Sequence, residues 1–211
     1  MHPLRLQFSP LTLSAAGYAN DVAWAGGGYA LTATTVGDGL AHVVSILGNA
    51  AVDHSLKTFT VTGTSADGVT ISEGIAGPNG VATVITTRYF KTVTSVTVSA
   101  TTGADTFDIG WTAAAVSQTV MMDWRKVDFQ VALSVIITGT ISVTVQHTLD
   151  ALHGEYLATA GAEYASWMPH STIASKTAST DGNYAYPIVA TRLLIVSVTN
   201  GATVGFQVVQ Q

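Results

Sequence analysis

Residues 127–149 alternate in hydropathy with a period of two. Val127, Phe129, Val131, Leu133, Val135 and Ile137 precede Thr138-Gly139-Thr140, and Ile141, Val143, Val145 and Leu149 follow. Successive side chains on a pleated strand point to opposite faces, so this spacing predicts two strands sharing one apolar face, with the chain reversing at Gly139 as a hairpin. The same grammar recurs along most of the chain. A protein built this way presents surfaces, and its fold class is all-β.

The remaining segments fit that class. Leu4, Leu6 and Phe8 make a short strand, whereas residues 9–28, rich in Ala and Gly and ending in Gly26-Gly27-Gly28, lack a period and read as an arm or loop. Strands are predicted at 29–35, 42–47, 58–63, 69–72, 81–90, 93–100 and 106–111. Asp38-Gly39, Asp67-Gly68 and Pro78-Asn79-Gly80 supply turn chemistry between them, and Asp67-Gly68 marks a hairpin. The pattern lapses over 112–123, which places a boundary there, as either a linker or a strand crossing between domains. Residues 150–182 form a long irregular connection holding Tyr156, with a hidden strand expected at 164–168, and Asn200-Gly201 joins a final pair of strands at 187–199 and 202–210. The expected architecture is an N-terminal arm or short strand (1–28), an antiparallel β-sandwich (29–115), a linker (116–123) and a second sandwich (124–211), each Ig-like or jelly-roll-like.

Composition narrows function. Charged residues make up 10% of the 211, against roughly 25% in an average soluble protein. The net charge of −5 and scattered basic residues exclude a nucleic-acid partner, which would require clustered Lys and Arg. Mean hydropathy is +0.38, yet no apolar window reaches the roughly 18 residues of a membrane helix. Alternating strands also occur in outer-membrane barrels, but those carry aromatic girdles, and aromatics here are 8%. No membrane partner is expected. Polar faces made of Thr and Ser instead of Lys and Glu account better for the hydropathy, and imply a surface covered by neighbouring subunits. The chain has no cysteine, which excludes disulfides and thiolate metal sites, and its first residues lack the pattern of a secretory signal, so assembly in a cytoplasm is expected.

Reactive constellations are sparse. His147, Asp150 and His153 fall within seven residues, but His147 ends a predicted strand, and that spacing does not converge on a metal. Asp105 and Asp108 resemble a glycosidase pair only until their strand sends them to opposite faces. Asp38, Asp67 and Asp181 each precede Gly and read as turns. No nucleophile elbow, zinc-protease helix, P-loop or dinucleotide fingerprint is present. The expectation is a non-enzymatic protein with no catalytic, cofactor-binding or metal residues. Among aromatics, Trp111 continues the Phe107/Ile109 face and is expected in the core. Trp124 and Trp167 read first as packing on each other in a core, and with Trp24, Tyr164, Tyr184 and Tyr186 they are also the candidate interface residues, Trp being enriched in interface anchors. A sugar-stacking platform on Trp167, Tyr184 and Tyr186 is the competing use.

Two stretches carry a family resemblance. Tyr29-Ala-Leu-Thr-Ala-Thr-Thr-Val-Gly-Asp-Gly-Leu-Ala-His, Thr58-Phe-Thr-Val-Thr-Gly-Thr-Ser-Ala-Asp-Gly, Ser72-Glu-Gly-Ile-Ala-Gly-Pro-Asn-Gly and Arg88-Tyr-Phe-Lys-Thr-Val-Thr-Ser-Val-Thr-Val resemble a module of structural proteins in tailed bacteriophages. Thr144-Val-Gln-His-Thr-Leu-Asp, Trp167-Met-Pro-His-Ser, Ala178-Ser-Thr-Asp-Gly-Asn-Tyr-Ala-Tyr-Pro and Ala190-Thr-Arg-Leu resemble small phage proteins encoded among head and tail genes. The resemblance covers roughly residues 29–211 and rests on strand and turn signatures. It implies a virion structural protein assembled in the host cytoplasm, a neck or tail subunit (ring, collar or fibre attachment). Its implied partners are copies of itself and other virion proteins: portal, adaptor, tail or major capsid protein. A capsid decoration or cement protein, and a carbohydrate- or receptor-binding module, are the alternatives. A hydrolase acting on cell-surface polymer through Asp105 or Asp108 ranks below both.

Overall fold

The computed structural model describes residues 3–152 and 162–211. Along them run β1 (Leu4–Phe8), β2 (Ser14–Ala23), β3 (Ala41–Gly48), β4 (Thr58–Thr64), β5 (Thr70–Ala76), β6 (Thr83–Phe90), β7 (Thr92–Val98) and β8 (Thr106–Val116). They are followed by β9 (Val120–Met121), β10 (Val131–Thr138), β11 (Ile141–Thr148), β12 (Met168–Pro169), β13 (Thr180–Tyr184), β14 (Ala190–Val198) and β15 (Thr203–Gln210). One 3-10 turn, η1, spans Ala162–Tyr164. The strand pairings are antiparallel, so the protein is all-β, built from several antiparallel sheets.

The chain divides into two compact units. The first comprises Met1–Thr12, Asp38–Leu40 and Ala113–Gln211; the second comprises Leu13–Gly37 and Ala41–Thr112. The division between Thr112 and Ala113 falls within β8, which continues through Val116; beyond it β9 pairs with β14, and Ala115, Val120 and Met122 are buried in the first unit's core.

In the first unit, β1-β15-β10-β13 form one sheet, while β12-β11-β14 form another group that also pairs with β9 and the end of β8. Val131, Leu133 and Val135 of β10 and Val204, Phe206 and Val208 of β15 share a core with Val143 and Val145 of β11 and Leu193 and Ile195 of β14. The period-two faces are therefore real from Phe129 onward, whereas Val127 and Leu149 are exposed. The predicted hairpins are not. β10 pairs with β13 and β15, and β11 pairs with β12 and β14, so Gly139, at φ +82°, turns the chain between sheets. Gly201, at φ +81°, does the same between β14 and β15. The two arches lie against one another: Thr199 donates its N–H and its hydroxyl to the Thr140 carbonyl at 2.9 and 3.0 Å, and a Cβ on Gly139 would sit 3.0 Å from Ala202 Cα. Asp38 caps this unit's smaller pieces, its carboxylate accepting from the amides of Leu11 and Leu40.

In the second unit, β5-β4-β7 face β6, β3, β8 and β2. Phe59, Val61, Val93 and Val96 bury against Val44, Ile46, Phe90, Phe107, Ile109 and Trp111, the last in the core as its spacing predicted. The β4–β5 hairpin forms at Ser65–Gly68, where Ser65 Oγ accepts the amides of Asp67 and Val69 and Gly68 adopts φ +81°. Residues 14–23, read as arm, form strand β2 on β8, with register breaks that hide any simple period. Gly26 and Gly27, at φ +59° and +115°, close a tight turn bridged by Ala25 and Gly28. Residues 29–35 are not a regular strand, since the amides of Thr32 and Ala33 both reach the Tyr18 carbonyl.

Candidate functional site

The richest polar constellation lies on β11 of the first unit, where strand alternation sends Gln146 and His147 to opposite faces. On one face Gln146 is paired in register with Arg192 of β14. Arg192 Nε donates to Gln146 Oε1 at 2.9 Å, its NH1 reaches Glu163 Oε1 at 3.3 Å, and its guanidinium lies 4.2 Å from the ring centroid of Trp167. Trp167 Nε1 donates to the Ala162 carbonyl at 2.8 Å. Both charged side chains are buried, so this cluster fastens η1 to the sheet and leaves no open cation for a ligand.

On the other face His147 joins an aromatic group. Tyr184, 1% exposed, makes edge-on contacts with His147, His170 and Tyr186 at centroid separations of 5.0, 4.7 and 5.7 Å. Tyr184 Oη and His147 Nδ1 are hydrogen-bonded at 3.1 Å. His170 Nδ1 accepts the amides of Thr172 and Ile173, so its proton is on Nε2, which donates to the Asn183 carbonyl. Burial raises the Tyr184 phenol well above its ordinary range, reinforced by Tyr186 and opposed by Thr191. Burial, then the nearby His170, lowers His147. Both shifts favour the neutral forms of Tyr184 and His147, and Tyr184, His147 and His170 are all buried.

The predicted interface residues therefore scatter. Tyr184 is core, Trp24 is half-buried with its indole N–H enclosed and without an acceptor, and Trp167 has Arg192 on its ring. Tyr164, Tyr186 and Trp124 remain exposed, at 45, 50 and 40%. Trp124 and Leu149 open a pocket of about 280 Å³ with Ala151 and Val189, and Arg125 sits 4.8 Å from the Trp124 ring. A separate apolar tip occurs in the second unit. Val52, Val81 and the fully exposed Leu56 lie on two loops tied by Gly80 N to Val52 O and His54 N to Pro78 O.

The acidic residues weighed for chemistry take structural partners. Asp105 Oδ2 meets His54 Nε2 at 3.0 Å, and His54 Nδ1 faces Lys57 Nζ at 3.0 Å, leaving no hydroxyl for that imidazole to activate. Asp108 Oδ1 accepts the Asp21 amide at 2.7 Å and the Asn49 side-chain amide at 3.1 Å. Asp21 is lowered from its ordinary value by Thr106 and then Asn49, which hydrogen-bond its carboxylate. Asp150 accepts the Ser166 amide at 2.6 Å; His153 and Tyr156 lie outside the described residues. Among the described residues no three His, Cys, Asp or Glu side chains are grouped to hold a metal.

No family model matches the chain, and no curated protein matches it. The Arg192 cluster escaped sequence analysis, although one arginine inside Ala190-Thr-Arg-Leu-Leu-Ile-Val signals a buried charge in need of an acid. Its partner, Glu163, is 29 residues away.

Proposed function

We propose that this chain is a non-enzymatic structural subunit of a tailed-phage virion. Its two units would be sandwiches of Ig or jelly-roll type, and its place the neck or tail, as a ring, collar or fibre-attachment component. The observation that carries this reading is uncovered apolar surface on a chain with 10% charge: the Trp124–Leu149 pocket in one unit and the Val52, Leu56, Val81 tip in the other. Side chains of this size gain about 1.5–3 kcal/mol each on burial, and obligate subunit contacts collect many of them. Partners would be further copies of the chain and neighbouring virion proteins. Terminal strands such as β1 and β13 would add main-chain pairing.

The polar groups support the same assignment, since His54, Asp105, Asp108, His147, His170 and Arg192 all serve as ties within their own unit. A glycan-binding role finds less to use, because Tyr184 is buried and Arg192 lies on the Trp167 ring. Sedimentation of the purified protein, with mass spectrometry of particles and localisation in an image of the assembled virion, tests the assignment. A multimer present in particles is expected. A strict monomer absent from them overturns it.

A further inference from the structure

The free side of β6 holds a second kind of site. Val43 pairs with Tyr89 and Ser45 with Ile85, so Val44 of β3 stands opposite three residues, Thr86, Thr87 and Arg88. Thr86 repairs the ladder from the inside: its hydroxyl accepts the Val44 amide and donates to the Arg88 carbonyl, both at 2.9 Å. The next two amides are thereby turned outward, away from β3. Both meet one carboxylate. Thr87 N and Thr87 Oγ1 donate to Glu73 Oε1 at 2.8 and 2.7 Å, and Arg88 N donates to Glu73 Oε2 at 2.9 Å. Arg88 NH1 donates in return to the Ser72 carbonyl. Glu73 belongs to β5, and β5 and β6 are each the terminal strand of their sheet.

Successive amides pointing at one anion form a main-chain nest, a concavity that takes carboxylate or phosphate through fixed N–H dipoles. We propose that the Thr86–Arg88 bulge is a carboxylate-binding nest and that Glu73 is its tethered ligand, a latch closing the seam between β5 and β6. The bulge exists to turn the two amides, and the glutamate supplies both oxygens to them. A side chain thus replaces the ladder that two terminal strands of separate sheets do not form, and the Arg88 guanidinium on the Ser72 carbonyl joins the same two strands. The inference is independent of the virion assignment.

Amide hydrogen exchange by NMR on the full chain tests it, with acetate as the probe. In the native protein Thr87 and Arg88 amides are expected to be protected and indifferent to acetate. In Glu73→Ala they lose protection about tenfold or more, the loss of one charge-assisted hydrogen bond, and acetate but not chloride restores it saturably. Glu73→Gln keeps one oxygen, so Thr87 stays protected and Arg88 alone loses protection. Unchanged protection in a folded Glu73→Ala, or no response of these two amides to acetate, overturns the proposal. Should Glu73→Ala not fold, equal protection of both amides in Glu73→Gln overturns it as well, and selective loss at Arg88 supports it.

Discussion

A Cβ added to Gly110 would overlap the carbonyl oxygen of Ser14 and crowd the backbone of Ala15, and one added to Gly17 would enter the Trp111 ring. At these positions β2 lies directly on β8, and backbone atoms have nowhere to go. Gly110→Ala should therefore destabilise by about 3 kcal/mol, the upper part of the range for overpacked sites. Urea unfolding measures it, and a loss under about 1 kcal/mol would mean that residues 14–23 do not sit where described. His147 makes a different statement. Its folded value lies below the ordinary 6.5, so between that lowered value and 6.5 the unfolded chain binds more protons than the folded one. Stability then rises with pH through that window, is fully present above it, and falls on acidification. In His147→Gln the corresponding part of the slope should vanish; identical urea midpoints against pH in both proteins would refute this. Glu163→Gln leaves Arg192 buried against Trp167 with its carboxylate partner gone, which should cost about 3 kcal/mol or more.

At the scale of elements, the alternation over 131–137 and 141–145 was legible because burial on one face demands a period of two whatever the partner strand. Partner choice was not. A Gly at positive φ between two apolar strands serves a hairpin and an arch equally, and Gly139 and Gly201 both make arches, whereas Gly68 makes the hairpin. What separates them is local. Ser65 Oγ takes two amides within its own turn, while Thr140 and Thr199 bond across from one arch to the other, a contact between residues 59 apart that no window detects. The bulge in β6 was hidden for a related reason, since Thr86-Thr87-Arg88 looks like ordinary strand until Glu73 is placed beside it. The latch predicts an outcome for assembly too. Glu73→Ala frees the edges of β5 and β6, and unpaired edges template association, so its sedimentation should become concentration-dependent beyond that of the native protein. Equal profiles for the two would show that other features guard these edges.

For the whole molecule, the low charge content was visible from composition, and it pointed to contact surfaces without locating them. Of the six aromatic residues singled out from the sequence, Tyr184 turned inward because β13 supplies it to the first unit's core, and Trp167 is capped by an arginine far along the chain. Large aliphatic residues in loops carry exposure too: Val52 and Leu56 lie where no periodicity flags them, and Val81, read as the start of a strand, precedes β6 in the adjoining loop. A single exposed leucine needs no explanation, but three large aliphatic side chains exposed on two loops bonded to one another concentrate apolar surface in one region of the unit. Replacing Leu56 and Val81 by Glu removes apolar surface and adds charge where nothing in the unit needs either residue. The melting temperature should then stay nearly constant, as for surface substitutions generally, while the association constant of the proposed multimer falls at least about tenfold, because two aliphatic side chains buried in such a contact would contribute several kcal/mol. Trp124→Ser probes the other patch in the same way. Calorimetry and sedimentation on the same samples separate folding from assembly, and if neither the loop pair nor Trp124→Ser alters sedimentation or incorporation into particles, the exposed apolar groups do not make the proposed subunit contacts, and the proposed structural role would rest on the strand edges alone.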